Sequence, residues 1–141
     1  MDYLKIKYNK TSLKDKSTLI EIDGPCEIKP KNIKIASDPS SAAFFIVGAL
    51  ILPVSKIVLK NIALNETRIA FISVLKKMGG NIKIKKTNTV SGEEVGEIKV
   101  SYSPLKGIKI NASLSALLID EYPILSIAAS QASGLTIMTV S

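Results

Sequence analysis

The chain reads as α/β, with helices packed on mixed sheets, and three observations predict it. Three apolar segments carry helix caps and helical spacing, short β-branched runs fill the intervals between them, and one strand–helix pattern returns with an offset of about 75 to 78 residues.

Taken in order, YLKIKY (3–8) and TLIEID (18–23) predict two strands joined as a hairpin through SLKDKS, and NIKIA (32–36) predicts a third. In SDPSSAAFFIVGALILP, Asp38 is a natural N-cap, Pro39 fits the first helical position and Pro53 stops the helix. Its interior is apolar all round, which predicts a buried helix. KIVLKNI (56–62) is the next strand. NETRIAFISVLKKMGG then predicts a helix with Asn65 as N-cap, Ile69, Ile72, Leu75 and Met78 at helical spacing, lysines in the last turn and a Gly79-Gly80 stop. NIKIKK (81–86) and GEIKVS (96–101), linked through TVSGEEV, predict a second hairpin, and GIKIN (107–111) a further strand. The third helix is expected to start near Asp120 or Glu121, to carry Pro123 in its first turn, and to run through ILSIAASQAS to Gly134. LTIMTV (135–140) closes the pattern. KIVLKNIA separates two helices as a crossover strand does, so parallel pairing within a mixed sheet is predicted.

The repeat sets the organisation. LKIK…LIEI…NIKIA in the first 36 residues matches IKIK…EIKV…GIKIN at 82 to 111. Residues 1–31 then read as the closing hairpin of one βαβαββ unit, 32–103 as one complete unit, and 104–141 as the opening βαβ of the next. A pattern that begins and ends within a unit predicts an excerpt of a longer protein.

Composition narrows the chemistry. The 141 residues are 46% hydrophobic, enough for one domain with a real core. With Cys26 the single cysteine and no histidine, an internal disulfide, histidine acid/base catalysis and most zinc chemistry are excluded, and no metal is expected. Catalysis would fall to carboxylates, lysines or hydroxyls. No apolar run approaches the ~18 residues of a membrane span, and MDYLKIKYNK lacks a signal-peptide core, so a cytoplasmic chain without a membrane partner is expected. The net charge of +7 comes almost wholly from lysines scattered along strands (Lys5, Lys7, Lys83, Lys85, Lys99, Lys109), with Arg68 the only arginine. Base reading and bidentate phosphate contacts favour arginine, so these lysines read as solvated sheet faces with no nucleic-acid partner. A basic interaction domain stays as an alternative from another class, and the same positive field draws small anions.

One stretch stands apart. In ALLIDEYPILSIAA (116–129), Asp120 and Glu121 sit side by side in an oily segment with no cation near in sequence. Read from the residues, Asp120 is either a helix cap or a reacting carboxylate. Glu121 reads as a first-turn helix acid, and Asp38, Ser40 and Ser41 as caps and close packing.

Five strings, DPSSAAFF (38–45), NETR (65–68), KKMGG (76–80), GEEVGEIKV (92–100) and LLIDEYPILSIAAS (117–130), resemble in sequence and spacing the second domain of the 5-enolpyruvylshikimate-3-phosphate synthase family of the shikimate pathway. The resemblance implies two domains, each of three βαβαββ units in an inverse α/β-barrel-like arrangement, that close on substrate with helix N-termini toward the cleft. It implies transfer of the carboxyvinyl group of phosphoenolpyruvate to the 5-hydroxyl of shikimate 3-phosphate, by addition and elimination, with no cofactor. Asp120 falls on the family's cleft aspartate, which binds the hydroxyls of shikimate 3-phosphate and takes the proton of the attacking 5-hydroxyl. The sibling transferase acting on UDP-N-acetylglucosamine shares the architecture and fits DPSSAAFF and IDEYPIL less well.

Departures are local. Ala36-Ser37-Asp38 replaces the family's Pro-Gly-Asp, and NETR replaces Asn-Pro-Thr-Arg. The family's first domain, and the lysine–glutamate-rich segment it carries after the third helix, are not in this chain. The chain by itself is therefore expected to be inactive.

Overall fold

Between Asp38 and Leu52, local signals suffice to build a helix, and they anchor the rest. A computed structural model of the chain describes residues 1–15 and 17–139. Asp38 is extended (φ −70°, ψ 124°), its side chain accepts from the Ser41 amide, and helix α1 runs Pro39–Ile51 until Leu52 returns to extended backbone ahead of Pro53.

The chain forms two compact units, Met1–Ile35 and a second beginning at Ala36. In the first, a 3₁₀ turn at Asp2–Leu4 ends where Lys5 adopts left-handed backbone (φ 57°). That turn displaces the strand expected at 3–8, which forms instead at Asn9–Ser12 (β1). β1 pairs antiparallel with β2, Thr18–Glu21, with Asn9 opposite Glu21 and Ser12 opposite Thr18. The hairpin is as expected, its connection including Lys16, which lies outside the described residues. Lys31 donates to the Tyr3 carbonyl at 2.6 Å and lies 4.9 Å above the Tyr3 ring, while Tyr3 Oη donates to the Asn32 carbonyl at 2.8 Å.

The strand expected at NIKIA (32–36) does not form. Ile33 and Ile35 are 56% and 89% exposed, and the parallel bridge to β3, Ser37 to Ile62, begins past the run. An alternating run needs a neighbouring edge to pair with, and among the described residues none of 32–36 pairs with one.

In the second unit, β3 (Lys56–Ala63), β4 (Asn81–Val90) and β5 (Glu93–Ser101) make one sheet in the order β3-β5-β4. Both outer strands are antiparallel to β5. β3 and β4 thus run the same way, as a crossover requires, but β5 lies between them and replaces the expected parallel neighbour. The Ser91-Gly92 loop explains this: both residues take positive φ (49° and 88°), the tight turn that folds β5 straight back along β4. The inner face presents Ile57, Leu59, Ile82, Ile84, Ile98 and Val100 in cross-strand register.

Helix α2 spans Ala70–Lys77, four residues shorter at its start than the Asn65 cap predicts. Asn65 caps a turn of its own: its Oδ1 accepts from the Thr67 amide at 3.0 Å and the Thr67 hydroxyl at 2.8 Å. The expected glycine stop holds, with Gly79 at φ 95° and the Gly80 amide reaching back to the Leu75 carbonyl at 2.8 Å.

A parallel pair, β6 (Lys109–Ile110) and β7 (Ile137–Met138), flanks helices α3 (Ser115–Leu118) and α4 (Tyr122–Ser130). The strand expected at 135–140 is thereby found in its middle, and Val140 lies outside the described residues. Its pairing continues from an unusually close approach, in which a Cβ on Gly107 would stand 2.3 Å from the Leu135 carbonyl oxygen.

Ala43, Ile46, Leu50, Phe71, Leu75, Ile98, Leu118 and Leu125 fill the core of this unit. Each of the larger ones contributes about 1.5–3 kcal/mol by leaving water. Helix α1 is not buried all round: Phe44 and Phe45 remain 63% and 66% exposed, because sheet and α4 cover only the opposite side. Among the described residues, no single helix is long and apolar enough to cross a membrane.

Candidate functional site at the helix starts

The starts of three helices are joined by one hydrogen-bonded chain. At α1, Asp38 Oδ2 accepts from the Ser41 amide at 2.7 Å and from the Ser41 hydroxyl at 2.8 Å. From the turn before α2, Arg68 Nη2 donates to Asp38 Oδ1 at 3.0 Å and to Ser40 Oγ at 3.1 Å. Ser40 Oγ in turn donates to Glu121 Oε1, at the start of α4, across 2.5 Å. Arg68 is presented by the Asn65 turn, whose carbonyl takes the Arg68 and Ile69 amides at 2.9 and 3.0 Å. The Asp38 carboxyl is held below its ordinary value of 3.8, first by the Ser41 amide, then by the Ser41 hydroxyl and Arg68, against the opposing pull of burial.

Asp120 lies in the turn between α3 and α4, exposed, one residue ahead of this network, and it has no hydrogen bond or ion pair among the described residues. It does not cap the helix. The N-cap position of α4 is Glu121, with no side-chain cap, and α4 ends at Ser130 instead of running on to Gly134. The third helical segment is broken because Ile119–Glu121 form a turn between two separate helices. Pro123 sits within the first turn of α4, where its missing N–H leaves no bond unmade.

Glu121 is the residue that sequence reasoning missed. It stands at the start of α4, as a helix-start acid would, but is 6% exposed and bonded to another helix start. Ser40, read as close packing, is its donor, and 81 positions separate the two. The one available signal was negative: a carboxylate buried in an apolar segment without a local cation requires a partner from elsewhere in the chain, as Glu121 does.

A hollow of about 320 Å³ opens beside this network, lined by Ser37, Asp38, Ser41, Phe45, Leu59 and Lys60. A larger one of about 780 Å³ belongs to the first unit, among residues such as Lys5, Tyr8 and Glu27, and Asp120 lines neither hollow. At the helix starts stand helix N-termini with partial positive charge, Arg68 bonded to Asp38 and Ser40, Lys60, the buried Glu121 carboxylate and, open to solvent, the Asp120 carboxylate. Such a rim suits phosphate or carboxylate groups at the N–H ends and a hydroxyl at Asp120.

Strand–helix units whose helix starts are tied together by polar side chains make this an α/β chain. A family model described as EPSP synthase (3-phosphoshikimate 1-carboxyvinyltransferase) matches residues 6–139. The chain belongs to the EPSP synthase family. It is 44% identical over 120 residues to a 3-phosphoshikimate 1-carboxyvinyltransferase of Sphingopyxis alaskensis, covering 85% of this chain and 27% of that protein. A Bacillus pumilus protein of the same description is 45% identical over 119 residues, 84% of this chain and 28% of its own length. Among solved structures, EPSP synthase from Acinetobacter baumannii superposes with a TM-score of 0.84 at 33% identity, over 98% of this chain and 30% of that one. The chain thus spans less than a third of the length of these relatives. The matches favour the shikimate branch over the UDP-N-acetylglucosamine branch and over a basic interaction domain.

Proposed function

We propose that this chain forms part of the second-lobe wall of an enzyme that moves the carboxyvinyl group of phosphoenolpyruvate to the 5-hydroxyl of shikimate 3-phosphate. In that reaction the hydroxyl oxygen bonds to the carbon bearing the phosphate ester and loses its proton while the double bond's electron pair takes a proton at the methylene carbon. Loss of a proton from the resulting methyl group then re-forms the double bond as the carbon–oxygen bond to phosphate breaks. Asp120 is the group that takes the hydroxyl proton and holds the neighbouring hydroxyls of the acceptor. The observation that carries the reading is an exposed carboxylate, without a partner among the described residues, one residue from a network uniting three helix starts. Closure of the other lobe supplies the remaining contacts and excludes water, which raises the basicity of such a carboxylate.

The test is Asp120→Asn in the full-length enzyme that carries this segment. Asparagine keeps the shape and removes the basic oxygen, so turnover falls about 10²- to 10⁴-fold with an unchanged circular dichroism spectrum. Near-normal turnover overturns the role.

A further inference from the structure

Glu121 is a buried acid for which the transfer chemistry has no use. Burial alone gives no reason for an acid, since an apolar side chain of similar size would fill the same space at lower desolvation cost. What an apolar residue cannot do is accept the Ser40 hydroxyl.

We propose that Glu121 is a positioning residue for Asp120, a proposal that rests on the role given to Asp120 above. Asp120 lies in a short turn with little apolar anchoring of its own, its neighbour Ile119 being 71% exposed. The turn's backbone is held on either side by Glu121, whose amide reaches Leu118 O and whose carbonyl takes the Leu125 amide, both at 2.9 Å. Its side chain then fixes the turn to a different part of the fold. The Glu121 carboxyl takes the single Ser40 proton at 2.5 Å, and Ser40's lone pair takes Arg68 at 3.1 Å. Arg68 is itself held by Asp38 at 3.0 Å. Every member of this chain has its partner, and the turn carrying Asp120 is thereby referenced to the starts of α1 and α2. A proton acceptor needs that constraint, because displacement of a reacting group by about 1 Å costs on the order of a hundredfold in rate.

The experiment is ¹⁵N relaxation on the 141-residue chain and its variants Glu121→Ala, Ser40→Ala and Glu121→Gln. In the wild type and Glu121→Gln, which keeps an acceptor oxygen, the Asp120 amide has an order parameter of about 0.85. In Glu121→Ala and Ser40→Ala it drops below about 0.6, while Val47 and Ile98 in the core hold their values. An Asp120 amide that stays as ordered in both alanine variants as in the wild type overturns the proposal. In the full-length enzyme, Glu121→Ala lowers kcat about tenfold to a hundredfold with KM little changed, and Glu121→Gln restores it; equal losses in the two variants count against positioning. Failure of the Asp120→Asn test instead removes the catalytic role and leaves the relaxation result standing, so the two failures are distinguishable.

Discussion

Arg68 Nη2 lies 3.0 Å from Asp38 Oδ1, tying the residue that caps α1 to the turn that precedes α2. Both side chains are about half exposed, so the ion pair by itself contributes little. The cap is the larger effect, because the Ser41 amide has no other acceptor at the helix start.

Asp38 is therefore predicted to matter through capping and to give stability an acid-side slope. Its folded-state pKa is depressed below 3.8. The associated stabilisation is full above that ordinary value and is lost as pH falls through the lower folded-state pKa. Thermal unfolding between about pH 5 and 2 checks this. Asp38→Ala loses about 1 kcal/mol at neutral pH and flattens the acid slope. Asp38→Asn, still a good cap, flattens the slope at smaller loss.

Val54 offers the opposite sign. It stands in left-handed backbone at φ 67°, 96% exposed, in the turn between α1 and β3. A β-branched residue is strained there and its side chain gains nothing from packing. Val54→Asn is expected to stabilise the chain by about 0.5–1 kcal/mol, asparagine tolerating this region far better. A lower denaturation midpoint for the variant would contradict the strain.

At Gly107 the constraint is space. Its amide donates to the Ser133 carbonyl at 2.8 Å, and an added Cβ would lie 2.3 Å from Leu135 O and 2.9 Å from the Gly134 carbonyl carbon. All of these are backbone atoms of the segment leading into β7, so no side chain can swing aside. Gly107→Ala is predicted to cost about 1–3 kcal/mol, and denaturant titration beside an alanine change at exposed Gly24, where nothing lies within 4 Å, isolates the steric part.

What could be read in advance divides by sequence separation. Helix α1 was legible because cap, proline and stop all lie within a few residues of its ends, and the Gly79-Gly80 stop was legible for the same reason. NIKIA failed because a strand is defined by an edge elsewhere, and Asn65 misled because the same side chain serves a free-standing turn as well as a helix cap. The antiparallel insertion of β5 between β3 and β4 is likewise a choice among partners, not a property of any one run. At the site, the apolar string made Asp120 and Glu121 stand out alike, and the family resemblance chose Asp120 between them. Its neighbour's bond to Ser40 spans 81 positions and leaves no local trace.

The last prediction concerns the chain alone. Asp120 lacks partners among the described residues, and the rim it shares offers Arg68 already committed to Asp38 and Ser40. A reacting carboxylate needs its substrate held within hydrogen-bond reach and shielded from water, and positioning of that kind contributes about 7–11 kcal/mol to a barrier. With a segment that spans 27% of the length of a relative such as the Sphingopyxis alaskensis protein, most of the surface that could hold two anionic substrates lies outside it. The purified chain is therefore expected to release no phosphate from phosphoenolpyruvate in the presence of shikimate 3-phosphate, and to bind either anion only at millimolar concentrations. Acceptor-dependent phosphate release above the uncatalysed rate would show that one rim of helix starts is enough for the chemistry, and would move the burden of catalysis from closure to Asp120 itself.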